Sequence, residues 1–258
     1  LKEVSNMETW SNVEGELKDK LWLRTHPIGY KRFEDPDDLD GIPGLTRLTH
    51  YFPVCQMIAQ SRKMGLTIGA KNTDPCYYHC ARIHGLQSLP PGLDRPEHGL
   101  TWCSTWEDES KRLRAFPRIP PGGGIVFAPL ATMPFEPDVV LIYGDPAQII
   151  ILIQSMQRKK FERFQFACIG ESSCADSLAD CYLARKPKLG LPGFGERMLG
   201  HVREDELVLA LPPPYLRMAL EGLGELGIRY PIPQSMSIDL DMKLDLHQRY
   251  PEDPAFFP

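Results

Sequence analysis

The run Val139-Val140-Leu141-Ile142-Tyr143-Gly144-Asp145-Pro146-Ala147-Gln148 constrains the fold more than any other stretch of the chain. Successive side chains of a strand point to opposite faces, so four consecutive apolar residues require both faces to be covered. Asp145 as N-cap, Pro146 at the first helical position and Gln148 in a capping box then start a helix with no intervening loop. A central strand that runs straight into a helix belongs to an α/β architecture with helices on the faces of a sheet. The helix continues through Ile149-Ile150-Ile151-Leu152-Ile153 to the neighbourhood of Lys160.

The other elements follow from period and punctuation. Trp10, Val13, Leu17 and Leu21 mark a helix over 10–23, with Ser11 and Glu14 read as a capping box. Residues 28–33 read as a strand, 53–64 as a helix closed by Gly65, and 66–70 as a short strand. Asp74 and Pro75 are expected to open a third helix that carries Cys76 and Cys80. Further helices are expected over 107–116, 172–183 and 213–226, and further strands over 125–130, 138–143, 164–169 and 207–211. Residues 238–246 alternate strictly, as a half-exposed strand would, ahead of a Pro-rich tail. Proline occupies 25 of 258 positions, mostly at boundaries, so the elements are short and firmly stopped.

The expected fold is one α/β domain over 1–258, with mixed α+β the neighbouring class. A central mixed sheet is flanked by helices, and 229–258 form a C-terminal strand and extended tail. A rhythm of strand, helix, strand and cysteine-led helix recurs between the two parts of the chain, as two similar halves would give. A net charge of -5 gives no electrostatic reason for a nucleic-acid partner. No apolar run approaches the roughly 20 residues that span a bilayer, and the first residues lack the apolar stretch of a secretory signal. The expected location is cytoplasmic, with a protein partner or a second copy engaged through the tail.

Seven cysteines, an odd number set partly in apolar contexts, favour reduced thiols or metal ligands over a disulfide framework. Cys55, Cys76 and Cys174 each read as lying in the first turn of a helix. There unpaired N–H groups and the helix dipole stabilise a thiolate and make it a better nucleophile or ligand. Cys76 and Cys80 are one turn apart on one helical face and can share a metal, and His84 continues that face. Cys55, Cys76 and Cys80, completed by Cys103, Cys168, Cys174 or His79, can hold an iron–sulfur cluster. Against this stands the plain reading that small buried thiols fill space.

Two other segments can bind a ligand. Gln148 stands at a helix N-terminus following a central strand, where open sheets place ligand crevices, although its capping box is sufficient structural use. The glycine-rich stretch 190–197 allows close approach of a ligand at Gly195, and Arg197 can fork onto a carboxylate or phosphate. No Walker A or dinucleotide fingerprint is present.

Taken in order, three segments and a following turn resemble domain-of-unknown-function family 169, a group common in archaea and anaerobic bacteria. Pro53-Val54-Cys55-Gln56-Met57-Ile58-Ala59 is similar to the family's C-Q helix, and the cysteine-led segment ending His84-Gly85-Leu86 to its "LGL" segment. Tyr143-Gly144-Asp145-Pro146-Ala147-Gln148 resembles its strand followed by "NPAQ" and a helix, and Gly195-Glu196-Arg197-Met198 its "G-E-R" turn. Two features depart from the pattern. Gly193 or Phe194 stands where members often carry a cysteine, and both Cys76 and Cys80 match a single cysteine of the "LGL" segment. The resemblance implies no established reaction, but its anaerobic setting accords with an oxygen-sensitive cluster.

The leading expectation is a Cys-ligated metal or iron–sulfur protein of anaerobic redox metabolism. Cys55, Cys76, Cys80 and Cys174 are its metal ligands, and Gly195, Arg197 and Gln148 face a bound cofactor or acid. Zinc, or no metal at all, is the alternative to the cluster. A non-catalytic binding or assembly module with packing thiols is the rival, followed by a thiol enzyme using Cys55 or Cys174 as nucleophile.

Overall fold

The computed structural model describes residues 2–47, 50–87 and 102–232. Its strands are β1 (Ile28–Phe33), β2 (Thr46–Arg47), β3 (Ile68–Lys71), β4 (Gly124–Pro129), β5 (Val139–Gly144), β6 (Lys188–Gly190) and β7 (Leu207–Leu211). They form one sheet of seven strands in the order β2-β3-β4-β1-β5-β7-β6. Among the described residues only β2 and β3 pair in parallel; the other ladders are antiparallel, so the sheet is mixed.

Alternation along the inner strands divides the core between two faces. Val139, Leu141 and Tyr143 of β5 join Ile28, Tyr30, Ile125 and Phe127 on the face covered by α2 (Val54–Met64), α3 (Tyr78–Ile83) and a π-helix (Ser172–Ala179). Val140 and Ile142 join Leu209 and Leu211 on the opposite face, under α1 (Lys2–Leu21), α5 (Pro146–Lys159) and α8 (Pro213–Glu225). All six residues of β5 are buried, as the uninterrupted apolar run requires. The fold is therefore α/β, with helices on both faces of one sheet. The helices equated by the two-halves rhythm, α2 and α5, lie on opposite faces. Among the described residues, no helix is long and apolar enough to cross a membrane.

The Asp145–Gln148 capping box is complete, with Gln148 N–H donating to Asp145 at 2.9 Å and Asp145 N–H to Gln148 at 2.8 Å. Thr105 caps α4 (Trp106–Ala115) through Asp108 N–H. Three local expectations are corrected. Ser11 lies within α1, which begins earlier, and Glu14 turns away to Lys18, His26 and the Ala131 N–H. Asp74 opens no helix: its carboxylate is held by Lys71 N–H and Arg47, while Tyr77 N–H donates to Phe52 O at 2.7 Å. Residues 164–169 form no strand: 165–168 are exposed and outside the sheet, and at their end the Ile169 N–H donates to Asp176. Beyond α6 (Asp180–Ala184), the glycine-rich stretch 190–197 runs from the last residue of β6 into the first half of α7 (Phe194–Gly200). The expected strand at 238–246 and the tail beyond it lie outside the described residues.

Candidate functional site

Five separate pieces of chain meet around a cavity of about 440 Å³. They are the N-terminus of α2, the segment leading into α3, one side of α4, the entry to the π-helix, and α7. Local bonds fix the approach of each. The bridge between Phe52 and Cys76 ties the lead-in of α2 to that of α3. Gly200 lets α7 press onto α2, since a Cβ there would stand 3.2 Å from the Cys55 carbonyl oxygen. The π-helix is entered by Ala175 N–H and Asp176 N–H both donating to the Glu171 carbonyl, at 2.7 and 3.2 Å. Its wider turn is of a kind that recurs at functional sites.

Cys55, Cys80 and Cys174 line the cavity, and Cys76 packs close by in the same core cluster as Cys80 and Cys174. Cys80 and Cys174, 94 positions apart in the chain, bring their sulfurs to 4.0 Å. The Cys55 thiol points at the Gly195 carbonyl, at 3.9 Å. All four residues are buried. Cys55 and Cys174 do stand in first helical turns, but Cys76 precedes α3 and its N-cap, Tyr77.

The helix ends do not produce free thiolates. Burial pushes the Cys55 and Cys76 thiols up, and the neighbouring Cys80 adds to the effect. Cys174 is raised through its contact with Cys80 and then by burial. Desolvation of a sulfur in an apolar wall outweighs the helix dipole, so these thiols are neutral unless a cation is bound. Among the described residues, no three Cys, His, Asp or Glu side chains already stand in a geometry that could hold a metal ion.

Glu196 braces the floor. One of its oxygens accepts from Ser173 N–H at 2.5 Å and the other from Gly193 N–H at 2.8 Å, joining the entries of the π-helix and α7 through one carboxylate. Burial nevertheless raises its pKa to about 7. A raised carboxyl pKa favours folding fully below the unfolded value, and that advantage is lost as pH climbs from there to about 7. We expect this group to remove up to about 3 kcal/mol of stability between pH 4.5 and 8. Urea unfolding across that range should show a flatter profile for Glu196→Gln. An identical slope in the variant would refute the assignment.

On the cavity's side wall, Arg112 bonds Glu171 at 2.6 Å and Glu109 at 3.1 Å, and lies over the Trp102 and Phe116 rings. This network had no signal in the sequence beyond the helical spacing of Glu109 and Arg112. Gly195 and His79 also line the cavity. Arg197 and Gln148 do not. The Arg197 guanidinium bonds the carbonyls of Pro192 and Arg203 and pairs with Glu204. Gln148 Nε2 is held on the far face of the sheet by the Leu21 and Trp22 carbonyls. Cys103 is part-buried with its N–H on Glu109, Cys168 is exposed, and Cys181 is buried in the core. His84 is sealed between Tyr30 and Phe127 and kept neutral by burial, its pKa lowered to about 3.

The sequence profile of the DUF169 family, described as "Uncharacterised ArCR", matches residues 16–222. That is well over half of the chain, and the chain belongs to this family. An uncharacterised protein of Methanocaldococcus jannaschii is 33% identical over 99 residues, which is 38% of this chain and 42% of that protein. The chain thus matches less than half the length of that relative. No solved structure matches.

Proposed function

We propose that this DUF169 member is a cysteine-ligated metal protein whose centre, a soft metal ion or an iron–sulfur cluster, sits on the floor of the cavity. The observation that carries the reading is the convergence of Cys55, Cys76, Cys80 and Cys174, with 4.0 Å between the sulfurs of Cys80 and Cys174. Two thiolates on one tetrahedral metal at bonds of about 2.3 Å stand about 3.8 Å apart. The spacing therefore suits a centre in which Cys80 and Cys174 share one metal atom: a mononuclear ion, or a two-iron cluster with Cys55 and Cys76 on the second iron. Loading requires Cys55 and Cys76 to turn toward that pair. A bound cation also removes the penalty that keeps the thiols protonated.

The test is anaerobic purification with iron and zinc supplied, followed by metal and acid-labile sulfide analysis and a visible spectrum. We expect metal near one centre per chain, falling at least tenfold in Cys80→Ser and in Cys174→Ser while circular dichroism stays native. Cys103→Ser should keep its metal. A wild-type protein that stays metal-free after reconstitution, or full retention in the Cys80/Cys174 double variant, would overturn the reading. The same spacing favours a dithiol–disulfide couple second. That reading predicts an air-exposed, metal-free protein two mass units lighter, cross-linked between Cys80 and Cys174.

A further inference from the structure

The walls above the thiols restrict what can enter. Tyr51, Tyr77, Trp102 and Phe194 bring aromatic rings to the cavity, and Tyr51, Trp102 and Phe194 are exposed to solvent. Trp102 and Phe194 meet at 6.5 Å between centroids, and Tyr51 and Tyr77 at 5.9 Å. Exposed rings gathered at one opening are an unusual use of surface in a chain whose core already holds large apolar residues.

Charge narrows the choice further. Among the described residues, the cavity carries three carboxyl groups, Glu109, Glu171 and Glu196, against one guanidinium, Arg112. Arg112 is engaged by Glu109 and Glu171 and covered by two rings, so it offers no free fork to an anion. Glu196 is engaged by two backbone N–H groups. Glu171 differs from both: one of its oxygens bonds Arg112, and the other has no hydrogen-bond partner among the described residues. It is part-buried, and burial works against its charge. A cation placed beside it would relieve that penalty.

We propose that the cavity binds a small organic cation, an amine or quaternary ammonium with an apolar body, over the Trp102, Phe194 and Tyr51 rings and beside the free oxygen of Glu171. Ring faces attract such cations, and the apolar body covers the remaining wall. The inference deepens the metal reading and rests on it in one respect: thiolates of a loaded centre add negative charge below the cation and tighten its binding.

The experiment titrates choline and its neutral isostere, 3,3-dimethyl-1-butanol, into the full chain by calorimetry, in metal-free and metal-loaded protein. We expect choline to bind at least tenfold more tightly than the isostere. Glu171→Gln should erase most of that preference while leaving the isostere's affinity unchanged. Phe194→Leu alters an exposed side chain with little bearing on the fold and should weaken choline several-fold. Equal affinity for the two probes, no choline binding at millimolar concentration, or undiminished preference in both variants would overturn the proposal. Choline preference in a protein that never takes up metal leaves this inference standing and sinks the metal reading. Metal uptake without choline preference does the reverse.

Discussion

Replacing Arg62 with alanine is expected to destabilise the protein by about 3–5 kcal/mol, because it strands a buried carboxylate. Arg62 is 0% exposed and bonds both oxygens of Glu206, itself 2% exposed, at 3.2 and 3.1 Å. It also donates to the His201 carbonyl at 3.1 Å and lies 4.2 Å from the centre of the Tyr143 ring. Burial opposes the charge on Glu206, yet the bonds from Arg62 and from Arg203 N–H outweigh it and hold its pKa below the usual range. Without the guanidinium that balance inverts. Calorimetry should show Tm falling on the order of 10 °C. Glu206→Leu combined with Arg62→Met should recover most of the loss, since paired apolar replacement leaves no charge unmatched. A single variant within 1 kcal/mol of wild type, on the scale of an exposed pair, would show that water reaches the site.

The same pair links stability to the cavity. Arg62 belongs to α2, which also carries Cys55, while His201 and Glu206 follow directly on α7, which supplies Gly195 and Phe194. The ion pair therefore fixes α7 against α2 at the end remote from the thiols. Loosening it is expected to weaken choline binding, which needs Phe194 in place, more than it weakens the contact between Cys80 and Cys174. Those two sulfurs come from α3 and the π-helix, neither of which touches Arg62 through a hydrogen bond.

What could be read from the sequence followed the reach of its signals. Period and punctuation located β1, α2, β5, α5 and α8 to within two residues, because each carries an apolar stripe and a local stop such as Pro146 or Gly65. Elements whose ends depend on distant partners escaped. Asp74 has the look of an N-cap, but Arg47 and Lys71 claim it. The segment 164–169 lies outside the sheet, and its last N–H, that of Ile169, goes to Asp176 seven residues on. For the site, helix-first-turn placement and the one-turn spacing of Cys76 and Cys80 point to Cys55, Cys76, Cys80 and Cys174, which the fold gathers, although Cys76 stands before α3 rather than in its first turn. Backbone flexibility at Arg197 does not reveal that the Pro192 and Arg203 carbonyls satisfy its guanidinium. Helix-end logic finds the capping box of Gln148 but not the Leu21 and Trp22 carbonyls that hold its Nε2 on the far face of the sheet. The Arg112–Glu171 pair was illegible for the opposite reason: its partners are 59 residues apart and neither belongs to a motif.

Gly222→Ala is expected to cost about 3 kcal/mol, although it adds a single methyl group and improves helix propensity. Gly222 lies in α8 where it crosses α5, and a Cβ built there would stand 1.9 Å from the Ser155 carbonyl oxygen. That oxygen belongs to helix backbone and has no rotamer through which to retreat. Ser155 is itself small and turns its hydroxyl back onto the Ile151 carbonyl at 2.7 Å, which keeps the crossing tight from the other side. The methyl group must therefore push the helix axes apart and open gaps around Leu152, Met156, Leu216 and Leu220, all buried in the same cluster. The loss of dispersion contacts across that cluster, rather than the clash alone, sets the magnitude. Denaturant unfolding should show a lowered midpoint with little change in slope. Metal content and choline affinity of the folded variant should match wild type, since α5 and α8 lie across the sheet from the cavity. A stabilised Gly222→Ala would mean that helix propensity dominates and that the two axes stand farther apart than 1.9 Å implies.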